Sequence, residues 1–261
     1  TDLGIMRQDA NLVIPSTPSL GYQGITINLS KGGPRTDPMA TDARVREAFE
    51  LALDRNVIND VVFGGEYVVG NQPVPPSSPW YVADIPIAQR DVERARALLD
   101  EAGVDRVSFE MMVANSPEGV RTGEVIQALV SEAGFDITLR ATEFATALDL
   151  QEQGQYFAFP VGWSGRIDPD GNIHAFHTCE GSLNESGFCD PQVDELLNAA
   201  RAAGTFDERF DLYKQALERY LPDRHIIYLY HTQLFFPHTT DLEGFQAYPD
   251  GLIRLLGVSL N

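Results

Sequence analysis

The sequence predicts an α/β fold with a mixed or parallel sheet flanked by helices. Val107, Phe109, Met111 and Val113 occupy every second position, as do Phe135, Ile137 and Leu139, which is the period of a strand with one face buried. Residues 118–133 and 143–153 carry helical spacing and end at Gly134 and Gly154, where a left-handed stop is needed. Tyr156 to Trp163 is a continuous apolar run, the pattern of a strand covered on both sides. Strand, helix, strand, helix, strand in that order favours parallel strands joined by right-handed crossovers.

The flanking elements follow from the same rules. Leu12–Ile14 and Ile25–Leu29 are short apolar runs split by Pro15, Pro18 and Gly21, and read as strands or extended connectors. From Asp42, the series Val45, Phe49, Leu53, Val57 and Val61 predicts one amphipathic helix stopped by Gly64 and Gly65. Residues 66–90 hold five prolines and read as a long loop anchored by Trp80 and Tyr81. Asp91 opens a helix that buries Ala95, Leu98, Leu99 and Ala102 before Gly103. Asp190–Pro191 starts another, and Thr205 with Glu208 forms a capping box for a third that ends before Pro222. Ile226–Tyr230 is a strand, and residues 232–261 read as short strands between Pro237, Gly244 and Pro249.

Composition narrows the partners. The chain has 261 residues, 43% hydrophobic and 22% charged, enough for one large or two modest cores. A formal net charge of −19 repels nucleic acid and anionic lipid. No stretch of about 18 apolar residues is present, so no membrane insertion is expected. The chain shows no initiator Met and no basic-then-apolar leader, and is expected to be a processed product or a fragment. Cys179 and Cys189, with nine residues between them in a Gly-, Ser- and Asn-rich segment, are expected to form a disulfide; two free thiols are the alternative.

The polar turn after the apolar run, Gly162 to Asn172, carries the candidate chemistry. Gly162-Trp163-Ser164-Gly165-Arg166 lacks the second glycine of a nucleophile elbow, because Arg166 stands there. Asp168 and Asp170 suit an acid/base pair or, in a Pro-Gly turn, hydrogen bonds to the local backbone. His174, His177 and Cys179 match no standard metal spacing, so no metal is expected. Arg166 either pairs with a carboxylate such as Asp168 or offers its planar fork to an anionic ligand. Trp163 and Trp80 are wall or core residues that would supply flat apolar surface in a cleft.

Four segments in order resemble one family. Asp42-Ala-Arg-Val-Arg-Glu-Ala-Phe-Glu-Leu-Ala-Leu-Asp-Arg-Asn-Val-Ile58, the proline-rich run from Gly70 to Tyr81, Asp91 to Gly103, and Gly162 to Asn172 are similar to motifs of extracytoplasmic solute-binding proteins, family 5. Gly244 to Gly251 fits the family's terminus. These are the peptide, nickel and opine receptors of ABC importers. The resemblance implies a periplasmic-binding-protein type II-like lobe, with 31–231 the second, ligand-binding lobe. It implies that 1–30 and 232–261 are strands returning to a first lobe whose N-terminal part is absent. It implies a monomeric, non-enzymatic receptor without cofactor, in the periplasm or another extracytoplasmic space. Its partners would be a small solute and a membrane permease. Peptide-binding members carry an aspartate shortly after the motif's tryptophan, and here Arg166 takes that place. The departure points to an anionic ligand, such as an acidic or modified peptide, an opine or a related conjugate. Arg166 and Trp163 are the expected ligand contacts, followed by Trp80 and Asp168. The alternatives are a protein–protein interaction module and a hydrolase using Asp168 and Asp170.

Overall fold

A computed structural model describes residues 3–261. One helical turn, α1 (Leu3–Met6), precedes two short strands, β1 (Leu12–Val13) and β2 (Ser16–Pro18), and then β3 (Tyr22–Ile27). Helices α2 (Pro38–Thr41), α3 (Ala43–Ala52) and α4 (Arg55–Phe63) lead to β4 (Val68–Val69). The middle of the chain runs α5 (Val92–Glu101), β5 (Val107–Ala114), α6 (Pro117–Ser131), β6 (Phe135–Thr142), α7 (Phe144–Glu152) and β7 (Ala158–Trp163). Helices α8 (Asp170–His177), α9 (Pro191–Ala202) and α10 (Phe206–Tyr220) precede β8 (Ile226–His231). The chain then forms β9 (Gln233–Phe235), β10 (His238–Thr239), β11 (Leu242–Glu243) and β12 (Ser259–Leu260).

Six strands make one sheet in the order β4-β8-β3-β7-β5-β6. β5 runs parallel to β6 along its whole length, and to β7 where Met111 faces Ala158. β3 is antiparallel to both β7 and β8. The sheet is therefore mixed, and β7 lies inside it, as its unbroken apolar run requires. One boundary moves. Residues 1–30 were expected to leave the lobe, yet β3 is an inner strand, with Ile25 and Ile27 fully buried. The alternating short segments that leave the sheet are β1 and β2, which pair with β10 and β9.

Each face of the sheet is covered differently. Ile25, Ile27, Met111, Ala158, Ile227 and Leu229 share one core with the apolar stripes of α3, α5 and α6. On the other face, Met112 and Phe159 meet Ala147 of α7, while Tyr22 and Tyr228 meet Phe176 of α8. Helices α9 and α10 pack on each other through Val193, Leu197, Tyr213 and Leu217.

The single helix expected from Asp42 to Phe63 is two helices. Leu53 is extended, and the Asp54 side chain accepts hydrogen bonds from the amides of Asn56 and Val57, which begins α4. The apolar stripe stops there: Val45, Phe49 and Leu53 are buried, whereas Val57 and Val61 are 37% and 45% exposed. Helices α5, α9 and α10 start at the expected caps, with Asp91, Asp190 and Thr205 each accepting from a first-turn amide. Glu208 reaches back to the amide of Gly204 rather than that of Thr205, so the capping box is offset by one residue.

Three histidines are fully or nearly fully buried. His177 Nδ1 lies 2.7 Å from His225 Nε2, and His177 Nε2 lies 2.9 Å from the Tyr228 hydroxyl. His225 Nδ1 faces Asp223 Oδ1 at 3.3 Å, and Asp223 is itself held by Arg46 at 2.7 Å. The first two contacts suit neutral rings, with Tyr228 donating to His177 and His177 to His225; His225 Nδ1 approaches Asp223 Oδ1 without completing a hydrogen bond. Burial lowers both imidazoles below their ordinary value, although Asp223 opposes the shift at His225. His231 donates from Nδ1 to the Gly21 carbonyl at 2.6 Å, and its buried Nε2 has no hydrogen-bond partner. Burial pushes His231 down to about 4.

A folded-state histidine below its unfolded value binds fewer protons than the unfolded chain. Its contribution is intact above about pH 6.5 and is lost as the pH falls towards 4. For His231 alone that loss is at most about 3 kcal/mol. Urea unfolding measured across pH 7 to 4 should show falling stability, and His231→Asn should flatten the slope. A stability that does not change over this window would contradict the assignment.

Candidate ligand-binding site

Strand β7 ends at Trp163, and the chain turns sharply through Gly165. Gly165 has φ 82° and lies against the backbone of Leu20 and Gly21, so a side chain would meet both a strained backbone and a filled space. The turn is held by Asn172, a fully buried residue in the first turns of α8. Asn172 Oδ1 accepts from the Trp163 indole N–H at 3.1 Å and from the Arg166 amide at 2.7 Å. Its Nδ2 donates to the Arg166 carbonyl at 2.9 Å. One side chain thus fixes both residues expected to meet ligand.

Arg166 is exposed rather than enclosed, because the turn carries it beyond the strand end. Its Nη1 donates to the Gly165 carbonyl at 2.7 Å and to Ser164 Oγ at 3.2 Å. The guanidinium lies 4.4 Å from the Trp163 ring centroid, a cation–π contact that restricts its rotamers. Among the described residues, no carboxylate lies within ion-pair distance of it.

The two aspartates are engaged elsewhere. Both oxygens of Asp168 accept from Arg209 of α10, at 2.6 and 3.0 Å, and the guanidinium holds its carboxyl below the usual range. Asp168 also accepts the Asp170 amide at 2.9 Å, the turn-forming bond expected of it. Asp170 takes Arg201 of α9 in a paired contact at 2.6 and 2.9 Å. These two forks brace the turn against α9 and α10 and leave no free acid/base pair. Trp80 joins the same helical side: its ring packs tilted against Phe206 at 4.5 Å, meets Tyr213 edge-on at 5.7 Å, and lies 5.3 Å from the Arg209 guanidinium. It lines no cavity with Trp163. His174 bonds Asn198 at 3.0 Å, His177 belongs to the buried chain, and Cys179 is joined to Cys189 as expected, with Cα atoms 4.3 Å apart. Among the described residues, no group of three His, Cys, Asp or Glu is placed to hold a metal.

Two cavities meet at the end of β7. One, about 380 Å³, is lined by Gln23, Val113, Ser116, Gly162, Tyr230 and Thr232, where strands β5 and β8 also end. The other, about 410 Å³, lies on the opposite side of Gly162 between α7 and α8, against Tyr22, Trp163 and Phe176. Phe144, Val161 and Gly162 belong to both. A third, about 460 Å³, lies at the far end of β8 beside Asp84–Pro86 and Leu221–Arg224, away from Trp163. Clefts beyond the carboxyl ends of strands are where open α/β sheets bind ligands. Sequence reading missed Asn172, Phe144 and Phe176; Asn172 and Phe144 lie in the first turn of α8 and α7 and Phe176 in the last turn of α8, positions that carry no motif of their own.

Removing the Asn172 amide strands one carbonyl and two N–H groups. Asn172→Ala should cost about 2–3 kcal/mol of stability in urea unfolding. It should also broaden the Trp163 indole N–H resonance. Wild-type stability with an unshifted indole signal would show that Asn172 does not hold the turn.

Comparison with known proteins identifies the family and the fold. The description "Bacterial extracellular solute-binding proteins, family 5 Middle" matches residues 1–184. The chain is 27% identical over 257 residues to a probable di/tripeptide-binding protein 5 of Pseudomonas aeruginosa, covering 96% of this chain and 48% of that protein. It is 28% identical over 270 residues to heme-binding protein A of Haemophilus influenzae, covering 100% and 48%. The solved structure of HbpA2 from Haemophilus parasuis superposes with TM-score 0.89 at 28% identity, covering 100% of this chain and 52% of that one. A dipeptide-binding protein of Pseudoalteromonas sp. SM9913 in complex with Met-Leu has the same fold, with TM-score 0.83, 20% identity, and coverage of 100% and 52%. The chain spans about half the length of the curated relatives it matches. It belongs to the bacterial extracellular solute-binding proteins of family 5.

Proposed function

We propose that the chain is the second lobe of a two-lobe solute receptor of an ABC importer in the periplasm or another extracytoplasmic space. The receptor captures a small anionic solute, peptide-like, opine-like or another conjugate, by hinge closure and delivers it to a membrane permease. It acts as a monomer and performs no chemistry; the Asp-dependent hydrolase reading loses support because Arg209 and Arg201 occupy Asp168 and Asp170.

The observation that carries this reading is Arg166. It is exposed, immobilised by Asn172 and Trp163, and without a carboxylate partner among the described residues. A planar donor fork in that state is complementary to a ligand carboxylate or phosphate. Relatives named for dipeptides, tripeptides and heme fit this chemistry, because all three ligands carry carboxylates.

The two-lobe reading is supported by the places where the chain leaves the sheet. β3 begins at Tyr22, opposite Trp163, and β8 ends at His231, so both connections emerge at the Arg166 end. There Ser19 and Thr232 bond each other through their hydroxyls at 2.8 Å, and β2 pairs with β9. Beyond them Leu252, Ile253, Leu255, Leu256 and Leu260 are all more than half exposed, up to 99% at Leu256. Apolar surface of this extent favours a covering partner. The same patch supports the alternative that this region is an interaction module for another protein.

Arg166→Ala in the complete receptor should weaken an anionic ligand by about 1.5–3 kcal/mol. Isothermal titration measures it, and unchanged affinity would reject the role. This chain alone, holding about half of the contacts, should bind the same ligand far more weakly than the complete receptor; equal affinity would reject the two-lobe reading.

A further inference from the structure

We infer that the groove between α7 and the disulfide-bonded loop 180–188 is an apolar subsite that receives an aromatic or branched aliphatic group of the solute whose anion Arg166 holds. This inference rests on the proposed role of Arg166 for the anion, while the groove itself stands on separate geometry.

The groove exists because two helices divide the cover of one sheet face. Helix α7 covers β5 and the start of β7, where Ala147 meets Met112 and Phe159. Helix α8 covers β3 and β8, where Phe176 meets Tyr22. Among the described residues nothing fills the strip between them, and Val161 and Trp163 form its floor. One wall is α7, which presents Phe144 and Leu148, 53% and 40% exposed although both are large and apolar. The other wall is Leu183 and Ser182 of the loop. That loop is preformed: Cys179–Cys189 closes it, and buried Asn184 bonds the carbonyls of Thr178 and Phe188 at 2.9 and 2.6 Å from inside.

Size and chemistry favour one apolar group of a small molecule over a protein segment. The volume, about 410 Å³, lies near the lower end of small-molecule sites. The lining is mostly aromatic and aliphatic, with the hydroxyls of Thr26 and Ser182 and, beside the C-terminal end of α7, Gln151, Glu152 and Glu185. Those carboxylates oppose a second anion there. Trp163 is shared: it forms part of the floor, and its ring stacks under the Arg166 guanidinium at 4.4 Å. A ligand with its anion on Arg166 therefore has its neighbouring apolar group at the mouth of the groove.

The test uses this chain with three probes: N-acetyltryptophanamide, which is neutral; N-acetyltryptophan, its acid; and N-acetylglycine, an acid without the ring. Amide chemical shifts are followed during titration. N-acetyltryptophanamide should give saturable shifts at Leu148, Phe176 and Leu183, and Leu148→Glu should weaken it on the order of tenfold. Should Leu148→Glu not fold, Leu148→Trp, which fills the groove with apolar bulk, should weaken it comparably. N-acetyltryptophan should bind more tightly than its amide, an advantage that disappears in Arg166→Ala. Binding of the amide with no advantage for the acid would remove the anion role and leave the groove. N-acetylglycine should bind at Arg166 without saturable shifts at the three groove positions, whereas N-acetyltryptophan binding at Arg166 without them would overturn the inference. So would binding of the amide that is unchanged in both Leu148 variants.

Discussion

The constraint on which the site depends is the amide of Asn172. A turn that follows a strand has no ladder of its own, and this one must hold an indole and a guanidinium in fixed relation. Asn172 does so by matching its acceptor to the Trp163 and Arg166 N–H groups and its donor to the Arg166 carbonyl. Because the side chain is buried, water cannot replace these bonds, and the geometry is fixed at the cost of a single polar group. Everything around it supports that arrangement. Gly165 provides the backbone conformation, Arg209 and Arg201 tie Asp168 and Asp170 to the helices behind, and the buried His177–His225 pair anchors the end of α8 to the start of β8.

Electrostatics set Arg166 apart from most of the arginines; Arg96 and Arg121 also meet no carboxylate, but they bond the carbonyls of Glu132 and Val61 instead of an aromatic face. In a chain of net charge −19, most guanidinium groups meet a carboxylate, and some of these pairs fasten α3 to α4 and to the turn before β8. Arg46 and Arg55 are nearly fully buried with Asp223 and Glu50, and breaking either pair would leave a charge without water. Arg166 instead stacks on an aromatic face and bonds only neutral oxygens. Its charge is therefore available, and the long-range field of the acidic surface weakens binding of anions elsewhere on the lobe.

Much of the fold was legible in the residues because local signals agreed with the tertiary structure. The alternation at Val107–Val113, the unbroken run ending at Trp163, and the caps at Asp91, Asp190 and Thr205 each encode a single outcome. The failures have physical causes. A four-residue apolar period ran through Asp54, and the local capping bonds of that aspartate outweighed the continuation of the helix. β3 was assigned outside the lobe because antiparallel pairing between residues 22–27 and strands more than a hundred residues later leaves no mark in sequence spacing. At the site, the glycines and charges of the turn are visible in the sequence, but the residues alone do not separate an Arg166 paired with Asp168 from one open to an anionic ligand; that depends on Arg209, which reaches Asp168 from a helix about forty residues later. Asn172 looked like one more polar turn residue, since burial is a property of the fold and not of the motif.

A liganded structure of the complete two-lobe receptor tests the central claim most directly. The account predicts a solute between the lobes, its anionic group within hydrogen-bond distance of the Arg166 guanidinium and its body beside Trp163. A solute enclosed elsewhere, or Arg166 paired with a carboxylate of the first lobe, would contradict it.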